Sequence, residues 1–452
     1  MFGPGNEMDR TCAFLALVIA SAPGCGSEEG NDASGSNAGS TSGSGGSGGS
    51  ASYQWTANVR VNDDATPEQQ REVSLAVDSS SNWYAGWMDL RQGVSELNYC
   101  AFAASSDGGQ TFAQNELYKG PFNVCGDPVV TADRSGNLYR MVVAADFELA
   151  PEVNPVRSEI QLARSSDGGK TWGQWQTVVE PNPAGPVPPE GVNDKPWVAA
   201  DGDHVVVVWT ILPDHYLDGD LMITQSADGG ATWGEATQIG QGIGACVVID
   251  EAQRIHVAWG RDLSGVGSGG TVHYRSSSDG GVQWSDVRDV ADTGTGGLPD
   301  DTSLIIGCAT DRAGDNVYLS WTGNRDGTSL DTWVAHSPDA GATWDAPVRV
   351  NDDAGDARQT RGWIGVDGTG QVHAAWIDYR SGSARAYASR SRDQGHTWDD
   401  NEIISDGDGV DSAQDYNGLA ISPEDEVGFA WTDDRDRETG MDVYFTKRIV
   451  VR

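Results

Sequence analysis

The chain has 452 residues, of which 29 are basic and 67 acidic, for a net charge of −38 at neutral pH. That balance excludes a nucleic-acid binder, which needs a basic footprint, and disfavours adhesion to anionic lipid headgroups. The length exceeds the roughly 250–300 residues that one hydrophobic core serves, so the apolar interior must be divided among repeated units.

At the N-terminus, residues 12–20 (CAFLALVIA) form an apolar run too short to span a bilayer, which reads as the centre of a signal peptide. Ser21-Ala-Pro-Gly-Cys25 resembles a lipoprotein processing site, with Cys25 as the lipid-bearing residue. Residues 1–25 are therefore expected to be an export leader, and the Gly/Ser-rich stretch 26–54 a disordered linker. Residues 55–452 remain for the folded domain. The expected location is the bacterial outer membrane or cell surface, with membrane contact only through the lipid, and the default state is a monomer.

Six copies of Ser-x-Asp-x-Gly-x-Thr-Trp punctuate the domain, beginning at Ser105, Ser165, Ser226, Ser277, Ser337 and Ser391. The first closes with Phe112, and the fourth has Gln283 in place of Thr. Their aspartates, Asp107, Asp167, Asp228, Asp279, Asp339 and Asp393, lie 51 to 61 residues apart. That interval suits one four-stranded sheet, repeated in a radial array. In a tight turn the carboxylate accepts backbone N–H groups, the Gly supplies a positive φ, and the aromatic ring packs between sheets. Six equivalent copies point to a structural role. The pattern resembles the Asp-box, or BNR repeat, of the sialidase-like superfamily across residues 55–452.

Alternating apolar runs predict strands throughout, without a long helical period. Inner strands are read at 73–78, 128–133, 196–201, 245–250, 306–311, 362–367 and 418–422, each followed by a second strand. The last set, ending at 441–449, supplies three strands and no box. Its fourth is expected from 57–63 (ANVRVND), which nearly duplicates APVRVND at 346–352. The predicted fold is all-β: a seven-bladed β-propeller whose N-terminal strand closes the last blade, with a six-bladed sialidase-type propeller as the alternative.

Export permits disulfides among Cys100, Cys125, Cys246 and Cys308. Three connectivities are open; proximity favours Cys100–Cys125, and Cys246 and Cys308 fall on adjacent inner strands. No His/Cys spacing suggests zinc, and no cofactor is expected. The run Asp406-Gly-Asp408-Gly-Val-Asp411 offers oxygen ligands for calcium but lacks full EF-hand spacing.

Trp87-Met-Asp89-Leu-Arg91, Trp376-Ile-Asp378-Tyr-Arg380 and Trp431-Thr-Asp433-Asp-Arg435 repeat an Asp–Arg pair, with looser versions at Arg261-Asp262 and Arg325-Asp326. Such a pair suits a self-clamped turn. Positions just before the inner strands are less repetitive: Glu72, Asp127, Lys195, Gly244, Ile305, Arg361 and Tyr416. These should ring the mouth of a central channel.

Sialidases use a tyrosine nucleophile tuned by a glutamate, an aspartate as acid/base, and three arginines on the substrate carboxylate. The resemblance thus implies Tyr416 with Glu72, Asp89 as acid/base, and Arg361 on the substrate, with Lys195 and Asp127 beside them. Arg71, Arg91, Arg380 and Arg435 are further clamp candidates without a motif match. The family's early Arg-Ile-Pro is absent, since Gln70-Arg71-Glu72-Val73 stands there. Three readings remain: a sialidase-like glycosidase (a polysaccharide lyase being the lesser enzyme variant) acting on extracellular glycans, a non-catalytic propeller binding glycan or protein, or a structural scaffold of the cell envelope. In the second, loops Phe147–Ser158 and Glu180–Lys195 would shape specificity.

Overall fold

The computed structural model describes residues 52–91, 98–147, 155–180, 191–212, 219–261, 270–294, 305–327, 329–409, 416–435 and 440–451. Among these, every regular element is a strand, as the alternating pattern requires. The leader, Cys25 and residues 26–51 lie outside the described residues, as do Asp262, Asp411 and the proline-bearing stretch 181–190.

One antiparallel sheet orders Gln70–Val77, Trp83–Asp89, Tyr99–Ser105 and Ala113–Tyr118. The next orders Val124–Ala132, Leu138–Phe147, Pro155–Ser165 and Gln176–Val179. Phe147 pairs with Pro155, so the expected loop Phe147–Ser158 is shortened by strand at both ends. Val192–Asp201, His204–Leu212 and Gly219–Ser226 then lead into the long strand Thr237–Ile249. Its first half pairs with Gly219–Ser226 and its second half with Ile255–Arg261, which continues to Thr271–Ser277 and Arg288–Asp292. Two further sheets follow, Gly307–Thr310 to Val348–Arg349 and Gln359–Val366 to Glu402–Ile403.

The last sheet orders Gly418–Ile421, Val427–Asp433 and Asp442–Val451. The two ends of the chain meet there. Val59 and Arg60 pair with Phe445 and Tyr444, and Ser52–Trp55 pairs with Arg448 to Val451. Among the described residues pairing is therefore already present at Ser52, inside the stretch expected to be linker. This N-terminal cover pairs the edge of the last strand, an edge that would otherwise template association.

Inner strands pack on one another in a closed cycle, with Gly418–Ile421 returning to contact Gln70–Val77. The result is a β-propeller. Between sheets lie Trp87, Trp209, Trp259, Trp321, Trp376 and Trp431, each at most 1% exposed. Burying a large apolar side chain contributes about 1.5–3 kcal/mol, so this set is a principal source of sheet-to-sheet cohesion. Phe445 of the last strand sits 5.1 Å from Trp83 and 5.2 Å from Phe112, joining first and last sheets.

The six repeated corners share one geometry. Ser105 Oγ donates to Asp107 Oδ1 (2.7 Å), Gly109 N donates to Ser105 Oγ (2.8 Å), and Thr111 Oγ1 donates to Asp107 Oδ2 (2.6 Å). The Thr111 hydroxyl and N–H hold the Asp107 carboxyl down to about 2. Where Gln283 replaces Thr, only its backbone N–H reaches Asp279, at 2.8 Å. Disulfides Cys100–Cys125 and Cys246–Cys308 are formed, the second joining inner strands of neighbouring sheets.

Candidate functional site at the channel mouth

Strand register brings the corners to one end of each sheet and the residues preceding the inner strands to the other. Trp83 pairs with both Val77 and Ser105, whereas Gln70 pairs with Asp89. Glu72 is thus separated from the corner by several residues of strand, at about 3.3 Å each.

The ladder slips between Arg71 and Ser74, Gly126 and Val129, Asp194 and Trp197, Ile243 and Cys246, and Thr360 and Trp363. In each slip one residue adopts a left-handed conformation: Glu72 (φ 55°), Asp127 (48°), Lys195 (48°), Gly244 (68°) and Arg361 (56°). These are bulges, one extra residue turned out of the ladder. Only Gly244 takes the conformation without penalty. The other four cost on the order of 1–3 kcal/mol each, a strain that typically clusters at functional sites. Of the seven positions aligned from sequence, these five share the bulge; Ile305 and Tyr416 do not have the left-handed backbone.

Three of them interlock. Lys195 Nζ lies 2.9 Å from Asp127 Oδ1 and 3.5 Å from Glu72 Oε1. Asp127 N donates to Glu72 Oε2 (3.3 Å), and Lys195 N donates to Asp127 Oδ2 (3.3 Å). Glu72 thereby caps the bulge at Asp127, and Asp127 caps the bulge at Lys195. All three are buried.

A fourth group, absent from the sequence-based candidates, completes the cluster. Asp194 Oδ1 accepts the Lys195 N–H at 2.9 Å, and its side chain is only partly buried. Burial and the charge of nearby Asp127 push the Asp194 carboxyl well above the usual carboxylate range. Burial opposes ionisation of Asp127 too and is the largest single influence, but the Lys195 charge and the surrounding hydrogen bonds together outweigh it and hold that carboxyl down. Adjacent acids with divergent proton affinities are the arrangement that general acid–base chemistry needs. The sequence signal was present in Asn193-Asp194-Lys195, an acid next to a ring lysine, yet nothing local indicated that it meets Asp127.

Trp197, two residues beyond Lys195, fills the channel behind the mouth. Its ring centroid is 5.1 Å from that of Trp363 and 5.6 Å, edge-on, from that of Tyr416. Tyr416 is 1% exposed and forms part of this aromatic packing. Arg361 is equally buried, its N–H donating to Thr322 Oγ1 at 3.1 Å. Arg71 Nε donates to Gln69 Oε1 at 2.7 Å.

Asp89, Arg91, Arg380 and Arg435 are placed differently. Arg91 donates through Nε and Nη2 to the two oxygens of fully buried Asp89, at 2.9 and 2.6 Å. Arg380 grips Asp378 in the same way, and Arg435 grips Asp433. Their remaining donors meet Asp63, Asp352 and Asp406. Each fork is occupied by the protein's own carboxylates, so these arginines clamp turns and link segments of the rim. Of the looser pairs, Arg325 lies 3.5 Å from Asp292. In the acidic run, Asp406 and Asp408 face Arg435 and Arg385.

A separate cavity of about 410 Å³ opens between the first two sheets towards the corners, lined by Tyr84, Phe102, Tyr139, Arg140, Lys170 and Trp172. Arg140 stacks over Trp172 (4.2 Å) and pairs with Glu116 (2.6 Å), away from the mouth cluster.

No protein-family model and no curated protein matches the chain. Solved structures do resemble it. A protein of unknown function from Dyadobacter fermentans superposes with a TM-score of 0.52 at 12% identity, over 88% of this chain and 99% of that one. The GH93 α-L-arabinofuranosidase of Fusarium graminearum, solved with arabinobiose, gives 0.50 at 11% identity, over 88% and 98%. The Hadza microbial sialidase Hz136 gives 0.47 at 14% identity, over 84% and 65%, too loose to carry weight. At such identities the likeness is one of fold.

Proposed function

We propose that the chain is a glycoside hydrolase of extracellular glycans, built on a seven-bladed Asp-box propeller and tethered to the bacterial envelope through a lipid on Cys25. The arrangement that carries the catalytic reading is Asp194 joined to the interlocked Lys195, Asp127 and Glu72, with the Asp194 carboxyl pushed well above the usual carboxylate range and the Asp127 carboxyl held below it. Protonated Asp194 gives its proton to the glycosidic oxygen as the C–O bond breaks and the leaving sugar takes the electron pair. Glu72 takes a proton from the water that attacks the sugar carbon, leaving a hydroxyl there. Trp197 offers an aromatic floor for a sugar ring. Seven blades are supported by the closed cycle of inner strands and by the paired chain ends. Export is supported by the leader composition and by two disulfides, which persist in oxidising compartments.

An uncharged sugar fits this mouth better than a sialic acid. Arg91, Arg380 and Arg435 are held in their own turns, and the Lys195 ammonium is already engaged by Asp127 and Glu72, so none of these cations is left facing a substrate carboxylate. The arabinofuranosidase likeness is compatible with that choice but establishes only a shared fold. A second reading, a glycan-binding propeller without catalysis, is favoured by the near-complete burial of Glu72, Asp127 and Lys195.

The test is turnover of a panel of aryl glycosides that includes α-L-arabinofuranosides, neutral hexosides and a sialoside. Asp194→Asn should lower kcat at least 100-fold, the usual scale of general-acid catalysis. Preference for the sialoside, with sensitivity to Tyr416→Phe, would restore the sialidase assignment. Glycan binding by a folded protein that turns over nothing supports the second reading.

A further inference from the structure

We propose that His336, Asp345 and His396 form a binding site for a divalent transition-metal cation of the zinc class, on the corner face of the propeller. One ligand atom from each lies within 4.8 Å of the others. His336 is the penultimate residue of the strand Asp331–Ser337, Asp345 follows the adjoining corner, and His396 belongs to the corner of the next sheet. A metal there would bridge two neighbouring sheets.

The chemistry of the His336 ring carries the assignment. Asn316 Nδ2 donates to Asp311 Oδ2 at 2.6 Å, and a carboxylate only accepts, so the amide orientation is set. Asn316 Oδ1 therefore faces His336 Nε2 at 2.9 Å and accepts its N–H. In a neutral imidazole that leaves Nδ1 with a lone pair. Yet Nδ1 stands 2.8 Å from Asp345 Oδ2, another acceptor. Two acceptors at that distance need a proton or a metal ion between them. Tyr318, stacked on the ring at 4.9 Å, fixes its plane, and Asp345 N donates to His336 O at 2.8 Å, pinning both ligands together. The His396 ring stands perpendicular to His336, with centroids 5.7 Å apart.

An imidazole whose far N–H is held by an oxygen, with its near nitrogen beside a carboxylate and a second imidazole, is the outer-shell arrangement of zinc-binding histidine. The repeat itself does not demand these residues. Equivalent pairs elsewhere are Ala104 and Ala113, Arg164 and Gly173, Gln225 and Gly234, and Ser276 and Ser285. In the following sheet the pair is Arg390 with Asp399, a permanent cation 3.1 Å from its carboxylate. Of the six corners, only the last two place an aspartate at this position, faced by Arg390 in one sheet and by the metal-competent ring of His336 in the other. Three protein ligands leave room for water.

The experiment is calorimetric titration of the chelator-stripped, full mature chain with Zn2+ at pH 7.5, in excess calcium to occupy the acidic surface. One equivalent should bind, with a rise in Tm at saturating Zn2+. His396→Ala, at an exposed position, should leave the fold intact, weaken binding at least 10-fold and abolish the Tm rise; Asp345→Asn should weaken it as well. Absence of stoichiometric binding, or binding unchanged in His396→Ala, overturns the site.

Discussion

The ammonium of Lys195 lies 2.9 Å from Asp127 Oδ1, and neither side chain keeps more than 6% of its surface in contact with solvent. Removing one partner of such a pair leaves an uncompensated buried charge. Lys195→Met should therefore destabilise the protein by about 3–5 kcal/mol, read from denaturant midpoints. Asp127 in the wild type has a depressed carboxyl, so its contribution is present above the unfolded value of about 3.9 and is lost on acidification through the folded value. The Met variant lacks that term, so its deficit should shrink as the pH falls. A deficit that stays constant with pH would remove electrostatics as its cause.

Asp194 carries the opposite sign. Its folded carboxyl is raised, so its contribution is complete below about 3.9 and lost as pH climbs through the folded value. Asp194→Asn, which keeps the neutral form at every pH, should lose less stability than wild type between pH 4 and 8. Asp331, pushed up to about 6 by burial, slopes the same way in both proteins and cancels in the comparison. Superimposable profiles would show that Asp194 is ordinary.

Deleting the chain through Arg60 removes the partners of Tyr444, Phe445 and Arg448 to Val451. The outer edge of that strand is then bare, and the variant should lose thermal stability and associate with rising concentration, seen by light scattering. A monomeric variant of unchanged Tm would mean that the closing strands are dispensable.

Two corner glycines separate backbone conformation from packing. Gly280 has φ +72° and open space where a methyl group would project, and Ala340 occupies the equivalent place with φ 56°. Gly280→Ala should cost about 1 kcal/mol. Gly341 has φ +85°, and a Cβ there falls 2.1 Å from Tyr274 Cε1. Tyr274 is held by His256 and by Ala340 O. Gly341→Ala should cost about 3 kcal/mol, combining strain with overpacking. Equal midpoints for the two variants would contradict this ranking.

Local rules repeated along the chain were legible without a structure. The corner carboxylates, the strand alternation, the Asp–Arg clamps and the duplicated VRVND stretches each follow from hydrogen bonds or pleat geometry within a few residues. Repetition also aligned Glu72, Asp127, Lys195 and Arg361 before any coordinate placed them. What ring closure brings together was not legible: Asp194 against Asp127, Trp197 reaching Trp363 and Tyr416 across the channel, and His336 facing His396 from the next sheet. Nor did the pattern reveal that Arg91, Arg380 and Arg435 are saturated by acids from neighbouring segments. Those pairings depend on how the sheets twist and nest about the axis. A titrating group's charge is set by such neighbours rather than by its place in the repeat, so the repeat yields the scaffold and only the assembled ring yields its chemistry.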